Sequence, residues 1–251
     1  MSRLFTVREF APRRTRYCIL VPVINEGERI RRQLARMSGA AGLADLILAD
    51  GGSTDGSVDD LPAHVRALLV KTGPGKLGAQ LRMGFAYALE QGYEGVVLVD
   101  GNDKDDVSAI PRFLALLEQG YDFVQGSRYA PGGQGVNTPL HRHLGVKLLH
   151  APLVSLAARY RYTDTTNGFR ACSARLLRDP RVAPLRDVFM GYELHYYLAI
   201  RAARLGFRVA EVPVTRSYPA AGPVPSKISP VRGSLTVLRA LFAAVSGRFD
   251  P

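Results

Sequence analysis

"VVLVDGNDKDD", residues 96 to 106, joins four consecutive apolar residues to a segment with five ionisable side chains in seven positions. An apolar run of that length, bounded by polar residues, reads as a strand buried on both faces. Carboxylates collected at the end of a core strand have two readings: a held cation, or a solvated turn. A calcium loop is excluded, because the sixth and twelfth positions counted from Asp100 are Asp105 and Pro111, where an EF-hand needs Gly and Glu. What remains is Asp100 at the strand end with Asn102 two residues on, both hard oxygen donors suited to Mg²⁺ or Mn²⁺. Asp105 and Asp106 read as the start of the next helix, where acids favour the positive end of its dipole.

Working outward, the same strand-and-helix alternation recurs. "YCILVPVI" (17–24) is a second apolar run, followed by "NEGERIRRQLARM" with Ile30, Leu34 and Met37 at helical spacing. "LADLILAD" (43–50) ends in the turn formers "GGSTDGS", and "RALLVKT" gives another short strand. "GKLGAQLRMGFAYALEQGY" places Leu77, Leu81, Phe85 and Leu89 on one helical face. Ile110, Phe113, Leu114 and Leu117 mark the helix after residue 106, and "YDFVQGSRY" is a further strand. Uniformly apolar strands alternating with helices predict an α/β fold, a mostly parallel sheet covered on both faces. Ligands of such sheets sit beyond the carboxyl ends of the strands. Asn25 and Glu26, Asp50 to Asp55, Asp100 to Asp106, and Ser127 to Tyr129 should therefore meet in one crevice.

After residue 130 the pattern changes to a loop, a helix from Leu140 kinked at Pro152, the polar turn "DTTNGFRACS", the helix "GYELHYYLAIRAARLGF", the strand "RVAEVPVTR" and a short apolar helix, "SLTVLRALFAAV". There is no internal repeat.

Composition narrows the function classes. With 251 residues, 47% hydrophobic and 22% charged, the chain is long enough for one substantial core and is not of a disordered type. The 33 Lys and Arg against 22 Asp and Glu give a net charge of +11, which suggests an anionic partner. The segment from Pro213 to Phe249 carries Arg216, Lys227, Arg232, Arg239 and Arg248 and no acid. Cys18 and Cys172 sit in apolar strand contexts and read as buried thiols of a reduced compartment. The N-terminal stretch lacks the apolar run of a signal peptide, and no window reaches the about 18 apolar residues of a spanning helix. A cytoplasmic location follows as the expectation.

The ordered set "VPVINE", "ILADGGSTDGS", "GKLGAQLRMGFAYAL", "VVLVDGN", "GSRY", "DTTNGFRA" and "EVPVTR" resembles family 2 glycosyltransferases of the GT-A fold, and within them the dolichyl-phosphate mannosyltransferase-like branch. The likeness spans residues 17–230, leaving residues 1–16 as an N-terminal extension and 231–251 as a helical tail. It implies a nucleotide-sugar half (17–130), an acceptor half (131–230), and inverting transfer from a UDP- or GDP-linked sugar with a divalent metal. Carried over by residue, it implies that Pro22, Asn25 and Glu26 line the nucleotide pocket and that Asp50 reaches the base. Lys76 opens a helix beside the nucleotide, Asp100, Gly101 and Asn102 form the metal motif, and Arg216 and Lys227 close over the diphosphate. Two departures stand out. The family's DDGS is Asp50-Gly51-Gly52-Ser53 here, and Asn102 replaces the second Asp of DxD, so Asp103 is an alternative metal ligand.

Charge developing on a diphosphate leaving group calls for a cation and basic side chains. A hydroxyl acceptor would also need a general base, for which Asp164 and Glu193 are the candidates, each with an ion pair as its alternative reading. A phosphate acceptor is already ionised. "GPGKLG" only loosely resembles a phosphate loop, lacking the GK[ST] ending, and the histidines show no ligand spacing. The helix from Leu140 carries Arg142, Lys147, Arg159 and Arg161, no acid, and several leucines. It could lie on an anionic bilayer presenting a polyprenyl phosphate, or pack in the core around a soluble acceptor. Outside this class, a nucleotidyltransferase would want a Gly-rich, Arg-containing loop after the first strand, and a noncatalytic sugar-nucleotide binder would follow if Asn102 abolished metal binding. A nucleic-acid module would show an aromatic-basic platform, which is not visible.

Overall fold

The computed structural model describes residues 4–220 and 232–251. Ten strands and eight α-helices make up these residues: β1 (Phe5–Glu9), β2 (Tyr17–Val23), α1 (Glu28–Arg36), β3 (Asp45–Asp50), β4 (Val65–Lys71), α2 (Leu77–Glu90), β5 (Gly95–Leu98), α3 (Ile110–Glu118), β6 (Phe123–Ser127), β7 (Gln134–Val136), α4 (Leu140–Gly145), α5 (Ala151–Ala158), β8 (Arg170–Ser173), α6 (Ala174–Arg178), α7 (Glu193–Arg204), β9 (Val209–Pro213), β10 (Thr215–Ser217) and α8 (Arg232–Val245). Eight strands form one sheet in the order β1-β4-β3-β2-β5-β8-β6-β9.

Parallel pairing of β2 with β3 and β5 brings Val23 level with Asp50 and Leu20 level with Leu98. The carboxyl ends of the three strands therefore share one edge, as the uniformly apolar runs predict. Period-two alternation divides the side chains between two cores. Leu20, Ile47, Leu69, Val96 and Leu98 face α2, α5, α7 and α8, while Ile19, Val21, Leu48, Val97 and Val99 face α1 and α3. Cys18 and Cys172 are free and fully buried in the first core, and burial pushes the Cys172 thiol up to about 12.

Two strands run against the parallel expectation. β8 returns from the second half of the chain and inserts antiparallel between β5 and β6. β1 lies in the stretch read from sequence as an extension, and it pairs antiparallel with β4 along the sheet edge. A second, two-stranded sheet pairs β7 with β10 and sets Arg216 opposite Gly135.

The helix kinked at Pro152 is two helices joined by a π turn over Val146–His150, where the Ala151 N–H donates to the Val146 carbonyl five residues back. Pro152 has no N–H to offer the carbonyl four residues earlier, so the ladder resets one residue wider. The apolar C-terminal helix, α8, packs on α7 and α5.

Candidate active site

Two loops build the floor of the crevice. The Asn25 amide oxygen accepts from Thr54 N–H at 2.8 Å, while Asn25 N–H donates to Ser53 Oγ at 3.0 Å. Glu26 N–H donates to Ser57 Oγ at 2.9 Å, and the Glu26 carboxylate pairs with Arg29 at 2.8 Å. Asp50, 1% exposed, accepts from Gly52 N–H at 3.0 Å and from the Ser53 hydroxyl at 2.5 Å. The serines and threonine of "GGSTDGS" thus tie the loop after β3 to the loop after β2. Asp50 closes its own turn.

Asp100 stands at the end of β5. Gly101 follows with its N–H on the Pro22 carbonyl at 3.2 Å, fixing the turn against β2. Arg216, brought in by β10, donates to Asp100 Oδ2 at 3.2 Å and pairs with Asp105. Burial alone would raise the Asp100 carboxyl, but the cations Arg216 and Lys104 hold it below its ordinary value. Lys104 is itself 7% exposed, and burial, with Arg216 beside it, pushes its amine down to about 8. Its Nζ lies 5.5 Å from the Tyr218 ring centre. Gly168 packs onto this carboxylate so closely that a Cβ there would fall 2.7 Å from Asp100 Cγ.

Asn102 donates its amide towards Asp100 at 3.5 Å, and its Oδ1 is buried with no hydrogen-bond partner. An orphaned hard oxygen beside a carboxylate is the donor set a divalent cation takes up when the remaining ligands are substrate phosphates and water. The residues present fit such an ion. Asp103 does not join them. Its carboxylate pairs with Arg36 and, at 3.1 Å, with Arg32, and its N–H donates to the buried Gln33 side chain at 2.7 Å, so it faces α1. Among the described residues no group of three or more His, Cys, Asp and Glu gathers as a metal cluster.

The other carboxylates are also redistributed. Asp164 is fully buried and bidentate to Arg128, at 2.7 and 3.0 Å, with Thr166 N–H on the same carboxylate at 3.0 Å. The ion-pair alternative is the one its geometry shows. Glu193, at the first turn of α7, accepts from Gly191 N–H at 2.6 Å and stabilises its own helix entry. Asp106 caps the turn after it by accepting from Ser108 N–H, as an acid at a helix start should. Asp105, read the same way from sequence, is instead 1% exposed and locked to Arg216. Its place in the acidic run gave no sign of this, because Arg216 is brought to it by β10 from 111 residues away.

Lys76 is exposed at the start of α2, and its N–H is spent on the Met190 carbonyl at 2.7 Å. The "GPGKLG" turn is therefore held by the 189–191 segment. Lys227 lies outside the described residues. Arg170, 1% exposed, was not singled out from the sequence. It donates to the carbonyls of Asn167 at 2.9 Å, Thr165 at 2.8 Å and His195, and so joins the "TNGF" turn that carries Gly168 to the start of α7.

A mixed sheet of this order, with an aspartate-based crevice at the strand ends, defines the GT-A class of glycosyltransferase fold. Residues 18–181 match the model of glycosyl transferase family 2, and the chain belongs to that family. It is 31% identical over 208 residues to an undecaprenyl-phosphate mannosyltransferase of Micrococcus luteus, covering 80% of this chain and 83% of that one. It is 29% identical to a polyprenol monophosphomannose synthase of Mycolicibacterium smegmatis, covering 80% and 77%. Among solved structures, glucosyl-3-phosphoglycerate synthase of Mycobacterium tuberculosis, in complex with Mn²⁺, UDP and phosphoglyceric acid, superposes with a TM-score of 0.66 at 22% identity, covering 94% of this chain and 79% of that one.

Proposed function

We propose that this glycosyltransferase moves a sugar, with inversion, from a nucleoside diphosphate sugar to a phosphate-bearing acceptor, and that it belongs to the polyprenyl-phosphate branch of its family. The observation that carries the reading is the pairing of Asp100 with the orphaned Asn102 Oδ1 beneath Arg216 and Lys104. Asp100 and Asn102 would hold Mg²⁺ or Mn²⁺, which supplies charge neutralisation for the departing diphosphate. Arg216 and Lys104 add positive charge at the same place, inside a partly dehydrated crevice where it counts for more than in water. Pro22, Asn25 and Glu26 bound the side on which the nucleotide enters.

A phosphate acceptor carries its own nucleophilic oxyanion, which agrees with Asp164 being committed to Arg128 rather than free as a base. A lipid acceptor is supported by the outer face of α4–α5. Leu140, Leu144, Leu148 and Leu156 are 71%, 45%, 72% and 77% exposed along one stripe, and the exposed cations Lys147 and Arg159 flank it. Leu235 and Phe242 of α8 add apolar area at 50% and 53% exposure. A helix pair with this composition suits the interface of an anionic bilayer. The named relatives from Micrococcus luteus and Mycolicibacterium smegmatis act with polyprenyl acceptors by their names.

The test is transfer of radiolabelled sugar from a panel of UDP- and GDP-linked donors, with Mn²⁺, to a polyprenyl phosphate in vesicles or to phosphoglyceric acid in solution. Polyprenyl-linked product is expected, with Asp100→Ala at least about a hundredfold slower, the cost of losing a transition-state electrostatic contact. Product only with the soluble acceptor would overturn the branch, and no product with any pair would overturn the reaction.

A further inference from the structure

Outside the donor crevice, a groove of about 410 Å³ lies under α5. Its walls include Tyr129, Lys147, Pro152, Ser155, Arg161 and Tyr162. That volume falls within the range of small-molecule sites. Two features point to an anionic occupant. Lys147 and Arg161 are exposed at its edge, and neither is paired with a carboxylate among the described residues. The Tyr129 hydroxyl is buried and has no hydrogen-bond partner, although a phenol in such a place is normally satisfied.

The groove is built rather than incidental. Lys147 Nζ sits 5.2 Å from the Tyr129 ring centre, which is also edge-on to His143 at 5.2 Å, so the ring is held from two sides. Ser155 fixes the other wall by accepting from Tyr162 N–H at 2.9 Å. Two acids lie behind this wall: Asp164 is held by Arg128 at 2.7 Å, and Glu211 is occupied by Thr163 N–H at 2.9 Å and by Asp164 N–H at 3.2 Å. Each residue of the Arg128–Asp164 pair has its sequence neighbour, Tyr129 or Thr163, in the groove wall. The groove and the Asp100 crevice are thus served by adjacent residues yet lined by different ones.

We infer that this groove is a second anion site that takes a phosphate monoester, with Lys147 and Arg161 supplying charge and the Tyr129 hydroxyl donating a hydrogen bond. The apolar Pro152 and the two tyrosine rings leave room for a small organic group beside the phosphate. The phosphate belongs either to a soluble ester or to the headgroup of an anionic lipid, since the leucine stripe lies on the same helices. The inference rests on the phosphate-acceptor reading above and names residues for that phosphate; its test reads binding and not transfer, so it can fail while the transfer reaction stands.

The full-length protein is titrated calorimetrically with inorganic phosphate and with glycerol 3-phosphate, and floated with phosphatidylcholine vesicles with and without phosphatidic acid. Wild type is expected to bind at least one of these probes, with affinity falling tenfold or more in Lys147→Gln/Arg161→Gln and threefold or more in Tyr129→Phe. Lys147→Arg should keep the affinity, and Arg8→Gln/Arg14→Gln, with the same loss of net charge far from the groove, should also keep it. Response to the soluble probes assigns a free ester; response to phosphatidic acid vesicles alone assigns a lipid headgroup. Both variant side chains are solvent-exposed, so an unchanged melting temperature is expected and shows that the fold is intact. Binding that is equal in wild type and the double variant, or lost equally in the Arg8/Arg14 control, would overturn the site, as would no binding of any probe by wild type.

Discussion

Arg128 and Asp164 are 4% and 0% exposed, so each makes the other's burial tolerable. Removing one charge strands its partner where water cannot reach it. Asp164→Asn should therefore lower stability at pH 7 by about 3–5 kcal/mol, read as a shift in the urea midpoint. Burial tends to raise the Asp164 carboxyl, but Arg128 outweighs it and holds the group below the usual carboxylate range. A depressed folded value means that the stabilisation is complete above the unfolded carboxylate pKa of about 3.9 and is lost as pH falls through the folded one. The gap between wild type and Asp164→Asn should thus be constant from neutral pH down to mild acid and close only in stronger acid. Unchanged stability with collapsed turnover would restore Asp164 as a base. From the sequence, the base and ion-pair readings could not be separated, because the partner comes from 36 residues away, at the end of β6. The position of Asp100 and Asn102 at the mouth of the sheet was legible because a strand end locates them without knowledge of any partner. Asp103 was not, since its orientation depends on Arg32 and Arg36 of α1.

At the scale of elements, the turn from Thr163 to Phe169 carries much of the crevice, and the buried Arg170 is what ties it down. Arg170 has carbonyl partners rather than a carboxylate, and burial lowers its pKa. A planar guanidinium can reach three carbonyls in different directions, whereas a lysine ammonium is a point donor on a flexible stem. Arg170→Lys should leave at least one buried carbonyl unsatisfied and lower stability by about 1–3 kcal/mol. Because Gly168 lies in the same turn against Asp100, turnover should fall as well. A variant with wild-type urea midpoint and turnover would remove Arg170 from this role. The helices themselves were easier to read. Ile30 and Leu34 in α1, and Ile110, Phe113, Leu114 and Leu117 in α3, are all buried as their spacing requires. The sequence reads the helix from Leu140 as kinked at Pro152, whereas the irregularity is a π turn over Val146–His150, just before that proline, a backbone adjustment that no side-chain pattern encodes.

Over the whole molecule, the sheet's interior followed from apolar runs, and its antiparallel members did not. A strand's direction depends on how its connection crosses the sheet, and "RACS" looks alike in either sense. β1 escaped for a different reason: five residues with two charges and only alternate burial are a weak signal next to the uniform runs of the core. Yet Phe5 and Val7 pack on the first core, and Glu9 accepts from the Tyr87 hydroxyl, which also receives a hydrogen bond from the buried Arg66. β1 is thus the cover of an otherwise open edge, since β4 presents Ala67 to Lys71 to it in register. An uncovered edge of apolar strand is a template for pairing with another chain. Deleting residues 1–10 should lower the melting temperature by about 4 °C or more, given about 2–4 °C per kcal/mol for a domain of this size. It should also produce concentration-dependent association in light scattering, because the freed backbone donors and acceptors of β4 would pair with a second copy. A truncated chain that melts like the full one and associates no more than it does would show that the edge is protected by something other than β1.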